Sequence, residues 1–375
     1  MSDERYKRQQ LIADWDQAKL RSARVMVIGA GTTGNELIKN LALLGVGHIT
    51  IVDFDDVNEV NLSRSVLFRR SDIGRSKAEV AAQRACELNP ALETQVFHGD
   101  IVHEFGSGRF TQYDAVCLAT DNLASRMWVS RACFRQRVWL INTGIEGWNG
   151  NITVIPPDAN VCIECAWSDG VYAVLDQRRS CAGIGLAVQE RPIAMVITTA
   201  AMVAAMATQE FVKWVMYRDV SQWHAYDTIS MNGLTGKSFQ YHGIPNNSCR
   251  SRHIRIHDAP LLTVKRTMRV ADVKAMLCQH YAVSEIDIMH DHEIIWSLVC
   301  RQCGHPYATE PRWLDGYLRH MCQACRAPEV IPDNVSQYLL DALTLEQMHI
   351  PVDQILTVQF MYGDDLEVRH IQVVD

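Results

Sequence analysis

Arg24-Val25-Met26-Val27-Ile28-Gly29-Ala30-Gly31-Thr32-Thr33-Gly34 decides the fold. An apolar run that stops at a glycine reads as a buried parallel strand, because a strand covered on both faces needs no alternating polar residues. The G-x-G-x-x-G that follows, Gly29, Gly31 and Gly34, reads as the turn from that strand into a helix. Its glycines permit a tight turn and close backbone approach, and the N-terminus of the helix favours a phosphate. The helix is expected over 34–44 and is ended by Gly45 and Gly47.

Outward from this turn, strand and helix alternate. Strands are expected at 48–53, 91–96, 115–119 and 138–142, and an amphipathic helix at 77–88, ended by Asn89-Pro90. Repeated βα alternation predicts a doubly wound, Rossmann-like α/β sheet with helices on both faces. The pattern breaks over 243–259 at Pro245, Asn246, Asn247 and several basic residues. The expected organisation is therefore a domain over 1–250 and a smaller one over 258–375.

The chain has 375 residues, 48% of them hydrophobic, which suits two domains with a sizeable core. Its 36 basic and 43 acidic residues give a net charge of −7, with no global field for nucleic acid or an anionic membrane. Met1-Ser2-Asp3-Glu4-Arg5 contains no apolar core of a signal peptide. The stretch 192–209 carries no charge, yet Ala, Thr and Met dominate it, so a buried helix is expected rather than a membrane span. Twelve cysteines without a secretory signal read as metal ligands, reactive thiols or core fillers in a cytoplasmic protein. Cys86, Cys117, Cys133 and Cys278, inside expected helices or strands, are assigned to the core.

Cys300-x2-Cys303 and Cys322-x2-Cys325, eighteen residues apart, have the spacing of a tetrahedral zinc ribbon, inserted over about 298–328. His305 is near enough to compete, but four thiolates suffice. Such a site is structural, with no open coordination position.

Asp53, at the end of the second strand, is placed to accept hydrogen bonds from ribose hydroxyls. With the glycine turn it specifies a dinucleotide or a mononucleotide and no more. The next stretch, Asp53 through Asp55 and Asn61-Leu-Ser-Arg64 to Asp72-Ile-Gly-Arg-Ser-Lys77, separates the two. A dehydrogenase has no use for Arg64 and Lys77 aimed at a triphosphate, whereas an adenylating enzyme must stabilise departing pyrophosphate. Asp121 is placed to hold a magnesium ion on the phosphates.

Arg5-Tyr-Lys-Arg8-Gln-Gln10, the glycine turn, Asn40-Leu-Ala-Leu-Leu-Gly-Val-Gly47, Asn61-Leu-Ser-Arg64, Asp72-Ile-Gly-Arg-Ser-Lys77 and Thr120-Asp121-Asn122 occur in the order of a known family. Over about residues 5–250 the chain resembles the activating enzymes of ubiquitin-like proteins and their bacterial sulfur-carrier counterparts, the ThiF/MoeB/HesA group. The resemblance implies ATP and magnesium as cofactors and a β-grasp carrier with a C-terminal glycine as substrate. It gives Asp53 the ribose, Arg64 and Lys77 the phosphates, Asp121 magnesium and phosphate, and Asn61 a place near the nucleotide, with Asp55 and Asn122 in the same set. Arg8 matches an arginine that reaches a partner subunit's nucleotide, which implies a homodimer. Two departures stand out: Ser65 replaces the family's usual glutamine, and Thr32-Thr33 replace Gly-Leu in the turn.

The same resemblance assigns a thioester-forming role to Cys181, in Arg178-Arg-Ser-Cys181-Ala-Gly-Ile-Gly185 ahead of a long helix. The two arginines are expected to lower its pKa. Cys162-x2-Cys165 matches the family's first zinc knuckle, whose usual second knuckle is reduced here to Cys249 and, four residues on, His253. The C-terminal domain is similar in rhythm to a β-grasp that recruits a conjugating enzyme. The expected function is therefore ATP-dependent activation of a ubiquitin-like protein, in a bacterial conjugation system by analogy with phage defence. The alternatives are adenylation of a sulfur carrier for cofactor biosynthesis, a non-catalytic nucleotide-binding adaptor and, more remotely, a dehydrogenase.

Overall fold

A computed structural model describes residues 3–179, 194–219, 227–256, 261–289, 294–300, 302–313, 322, 324–326, 330–332, 340–363 and 365–375. After two N-terminal 3-10 turns, α1 (Gln17–Ser22) is capped by Asp16, whose carboxylate accepts from the N–H groups of Ala18 and Lys19. Next come β1 (Arg24–Ile28), α2 (Thr32–Leu44), β2 (His48–Val52), α3 (Lys77–Leu88), β3 (Glu93–Phe97), β4 (Ala115–Leu118) and α4 (Leu123–Gln136). α2 starts two residues before the expected position because Gly31 takes the N-cap and both threonines are helical. It ends at Gly45, whose left-handed φ of 86° receives the chain as it leaves the last turn.

β5 (Trp139–Glu146), β6 (Asn149–Ile155), β7 (Asp227–Asn232) and β8 (Lys237–His242) complete an eight-stranded sheet ordered β3-β2-β1-β4-β5-β6-β7-β8. The first five strands are parallel, and β6 to β8 continue antiparallel. Val25 and Val27 face the core built with α2, α3 and α6 (Ile197–Tyr217), while Met26 and Ile28 point to the opposite face and are equally buried. α6 holds most of the uncharged stretch and buries Ala200, Val203, Ala204, Ala207 and Phe211. Among the described residues no helix is long and apolar enough to cross a membrane.

The strand order reverses direction at β1, with β2 on one side and β4 on the other. At such a switch point the loops leaving adjacent strands diverge to opposite faces and open a crevice at the strands' C-terminal ends. Gly29, Asp53 and Asp121 all follow C-terminal ends of these strands.

The chain divides into two compact units, of which the first contains this sheet. The second includes His103–Arg109 and α5 (Asp169–Arg179) as well as the chain from Ile256 onward. In it, α7 (Val270–Tyr281) packs on a sheet ordered β10-β14-β15-β9, formed by β9 (Leu262–Lys265), β10 (Asp287–Met289), β14 (Ile355–Tyr362) and β15 (Asp365–Val374). The first and last strands, β9 and β15, are parallel neighbours, as in a β-grasp, but a single strand precedes the helix among the described residues. Val264, Val273, Leu277, Val358 and Ile371 form its core. Within the same unit, Gly108 N–H donates to the Asp353 carbonyl at 2.7 Å and Ile355 N–H to Ser107 Oγ at 3.2 Å. A side chain at Gly106 would meet the Val352 carbonyl at 1.9 Å, so only glycine fits there. A separate three-stranded sheet, β12-β11-β13, joins β11 (Ile294–Cys300), β12 (Pro306–Trp313) and β13 (Val330–Pro332).

Cys117 and Cys133 are buried, and desolvation pushes the Cys117 thiol up to about 12, as expected of inert core residues. Cys278 is half-buried and packs against the core of the second unit, whereas Cys86 is half-buried outside these cores, which corrects its assignment. Cys86 lies at the helix edge, where its thiol meets the Leu92 carbonyl and the Thr94 hydroxyl.

Candidate functional site

The glycine turn has three different glycines. Gly29 has φ 92°, and a Cβ there would sit 2.7 Å from the Ala119 carbonyl oxygen, so this residue lets the loops after β1 and β4 touch. A Cβ at Gly34 would meet the Gly29 carbonyl oxygen at 1.9 Å, so Gly34 closes the helix onto the strand. Among the described residues no atom lies within 4 Å of a Cβ placed on Gly31, and no side chain caps α2. The first N–H groups of a helix carry the polarity that receives an anion.

Asp53 ties the loop after β2 to this turn. Its Oδ2 accepts from Ala30 N–H at 2.6 Å and its Oδ1 from Asp55 N–H at 2.8 Å. Burial raises its pKa above the usual carboxylate value, while these two N–H groups and the Lys77 charge oppose the rise. Lys77, the first residue of α3, is buried, and its ammonium lies 2.6 Å from Asp55 Oδ2. The structure therefore brings Gly29, Gly31, Gly34, Asp53, Asp55 and Lys77 into one continuous set of contacts.

The segment between Asp55 and Lys77 is held by residues with structural duties. Asn61 is buried, and its Oδ1 accepts from Asn58 N–H at 2.9 Å, closing a capping box on a 3-10 turn. Arg64 donates to the Val60 carbonyl at 2.7 Å, so its guanidinium folds back over the same turn. Asn35, fully buried on α2, is a residue that the sequence pattern does not single out. It donates to the carbonyls of Ala30 and Gly31 and accepts from Leu67 N–H at 2.9 Å, pinning the arginine segment to the glycine turn. Asp72, also buried, gathers Arg69 N–H, Arg75 and Arg84. The hydroxyl of Ser65 is buried with no hydrogen-bond partner among the described residues.

Asp121 is exposed in the loop after β4. The Oδ1 of Asn122 caps α4 through the N–H groups of Ala124 and Ser125 at 2.8 and 3.2 Å. Arg126, one turn later, donates to the Thr120 carbonyl and to Asn142 Oδ1. Burial lowers its pKa to about 10, against the pull of the Asp121 charge. Arg126 fixes the turn that carries Asp121, and its place four residues after the cap was the available sequence signal. Arg8 is exposed between the N-terminal 3-10 turns. Cys181 lies outside the described residues.

Two groups of metal-ligand atoms converge. Cys162, Cys165, Cys249 and His253 have their ligand atoms within 4.8 Å of one another. Cys162 and Cys249 sulfurs are 3.6 Å apart, and Cys165 Sγ is 3.1 Å from His253 Nε2. The edge of a tetrahedron with zinc–sulfur bonds of about 2.3 Å is about 3.8 Å, so the donor set fits a tetrahedral divalent metal. Arg252 and His253 both have left-handed backbone, φ 54° and 47°, which turns the imidazole back toward the thiols. The hydrogen bond from Cys162 holds the Cys165 thiol below its usual range. Phe134 of α4 covers the group, 5.0 Å from the His253 ring. In the second unit Cys300 and Cys325 sulfurs are 3.6 Å apart, as are those of Cys303 and Cys322, and all four ligand atoms lie within 4.8 Å. His305 serves this knuckle through its carbonyl, which accepts from Cys300 N–H at 3.0 Å.

A sequence profile of the ThiF family matches residues 5–256. The chain is 39% identical over 148 residues to SUMO-activating enzyme subunit 2 of Dictyostelium discoideum, a match covering 39% of this chain and 22% of that protein. It is 35% identical over 169 residues to the sulfur carrier protein ThiS adenylyltransferase of Escherichia coli K12, covering 44% of this chain and 67% of that one. Among solved structures, E. coli MccB with ATP shares the fold at a TM-score of 0.55 and 20% identity, covering 67% of this chain and 74% of MccB.

Proposed function

The chain belongs to the ThiF family, and from that premise we propose that it activates the C-terminal carboxylate of a small β-grasp carrier by adenylation with ATP. The observation that carries this reading is the buried Lys77 ammonium beside Asp55, in one contact set with Asp53 and the open Gly31 end of α2. The ATP of the structurally similar MccB complex and the names of both relatives support it.

In this mechanism the phosphates lie against the N–H groups of α2 and the ribose meets Asp53. One carboxylate oxygen of the carrier attacks the α-phosphorus, the bond to the bridging oxygen breaks, and pyrophosphate leaves. The nucleophile is already ionised, so no general base is needed. Lys77 and Arg64 stabilise the charge that develops on the leaving group, which requires Arg64 to swing from the Val60 carbonyl toward the phosphates. Asp121, steadied by Arg126, would hold magnesium, which neutralises phosphate charge when bound. Arg8 would complete the nucleotide site of a second subunit in a homodimer. Zinc in the two cysteine groups is structural.

After adenylation, Cys181 takes the acyl group as a thioester, AMP leaves, and the acyl group passes to a conjugating enzyme. The resemblance to SUMO-activating enzyme subunit 2 supports this ending. A second reading, supported by the ThiS adenylyltransferase match, ends in sulfur transfer to the carrier instead. The test is carrier-dependent ATP–pyrophosphate exchange together with a gel assay for a reducible carrier adduct. Exchange that survives Cys181→Ser while the adduct disappears supports the thioester. Exchange without any adduct in the unsubstituted protein supports the sulfur-carrier reading, and no exchange at all rejects both.

A further inference from the structure

Glu164 stands between two of the clustered thiols, in Cys162-Ile163-Glu164-Cys165, and its carboxylate is buried. It accepts two parallel hydrogen bonds from Arg131, Nε to Oε1 at 2.8 Å and Nη2 to Oε2 at 2.7 Å. A buried charge pair carries a desolvation cost that an apolar residue filling the same space would avoid. What the planar fork adds is fixed geometry between the two elements it joins.

Those elements are the cysteine knuckle and α4. Near its C-terminal end α4 lays Phe134 over Cys162, Cys249 and His253. At its N-terminal end Asn122 caps it directly after Asp121, and Arg126 fastens Thr120 and Asn142. One rigid helix of fourteen residues thus has the metal group at one end and the candidate magnesium acid at the other.

We propose that Glu164 is a positioning residue that links the Cys162/Cys165/Cys249/His253 metal group through Arg131 and α4 to Asp121, so that metal occupancy and Mg-ATP binding reinforce each other. The inference rests on the reading of Asp121 given above. Linkage requires the effect to be reciprocal: if the metal favours Mg-ATP, Mg-ATP must hold the metal.

The full-length protein is loaded with 113Cd, and the equilibrium partition of the metal between protein and a competing chelator that does not bind magnesium is read by NMR, in which sites with three and four thiolates resonate apart. Calorimetry with Mg-ATP is run on the same samples. Mg-ATP is expected to raise the metal affinity of the three-thiolate site about fivefold or more. In Glu164→Gln the ratio of affinities with and without Mg-ATP falls to near one, and in Arg131→Lys, which keeps the charge but not the fork, it falls part of the way. A merely structural role would change both affinities and leave their ratio intact, and that result overturns the proposal. So does a wild-type ratio of one in a protein that binds Mg-ATP, whether or not the variants fold. A wild type that binds no Mg-ATP by calorimetry rejects the nucleotide reading itself, and the linkage with it.

Discussion

The ammonium of Lys77 lies 2.6 Å from Asp55 Oδ2, and its backbone N–H reaches the Asp55 carbonyl at 2.9 Å. The lysine is buried while Asp55 is exposed, so the cation is held in place by a carboxylate that solvent partly screens. Lys77 is thus parked beside Asp55 rather than free. Lys77→Ala is expected to lower ATP–pyrophosphate exchange about 10²- to 10³-fold, the loss typical of one donor to developing charge. Asp55→Asn is expected to cost far less, since it releases the lysine without removing it. Exchange rates at saturating ATP make the comparison.

The glycine turn separates fold from ligand. Gly34→Ala drives a methyl into the Gly29 carbonyl oxygen and is expected to cost about 1–3 kcal/mol or more of stability, seen as a fall in melting temperature. Gly31→Ala has an ordinary φ of −73° and, among the described residues, nothing within 4 Å of its methyl. It should melt close to the parent and yet lose ATP affinity, measured by calorimetry, because the methyl occupies the anion's approach.

Asp53 carries a testable sign. Burial makes its folded pKa higher than the unfolded one, so the folded state binds this proton more tightly. Its favourable contribution to stability is fully present below the unfolded pKa and is lost as pH rises through the folded value. A carbon-13 titration of the Asp53 carboxyl should therefore give a midpoint above 3.8. Lys77→Met should move it further up, because the Lys77 charge is one of the groups that hold it down.

The two thiol groups predict the metal content. Elemental analysis of the purified chain should give two zinc ions, with one lost in Cys249→Ser and the other in Cys322→Ser. Since zinc binding to such sites is worth about 10–16 kcal/mol in isolated fingers, chelation should lower the melting temperature by several degrees at least.

The sheet's central strands were legible because their code is local. Val25 to Ile28 is apolar throughout, and Gly29 ends the run. Asn89-Pro90 stops α3 where expected, at Leu88. The antiparallel extension was not legible, since every residue of β8 is exposed and leaves no alternation to read. In the site, Asp53 stood out by its place at the end of the second strand, and Lys77 as a cation in the stretch that follows it. Asn35, Arg126 and Glu164 did not, because each acts on a partner from a distant stretch: Leu67 for the first, Asn142 for the second, Arg131 for the third. Buried polar residues of this kind look unremarkable in sequence until the partner is known.

Exchange of labelled pyrophosphate into ATP, with Mg-ATP and a β-grasp protein that ends in glycine, reads the adenylation step itself. Exchange should require the carrier's terminal glycine carboxylate and fall about 10²-fold or more in Lys77→Ala. Exchange that proceeds equally well with a carrier lacking its last residue, or that is unchanged in Lys77→Ala, would contradict this mechanism.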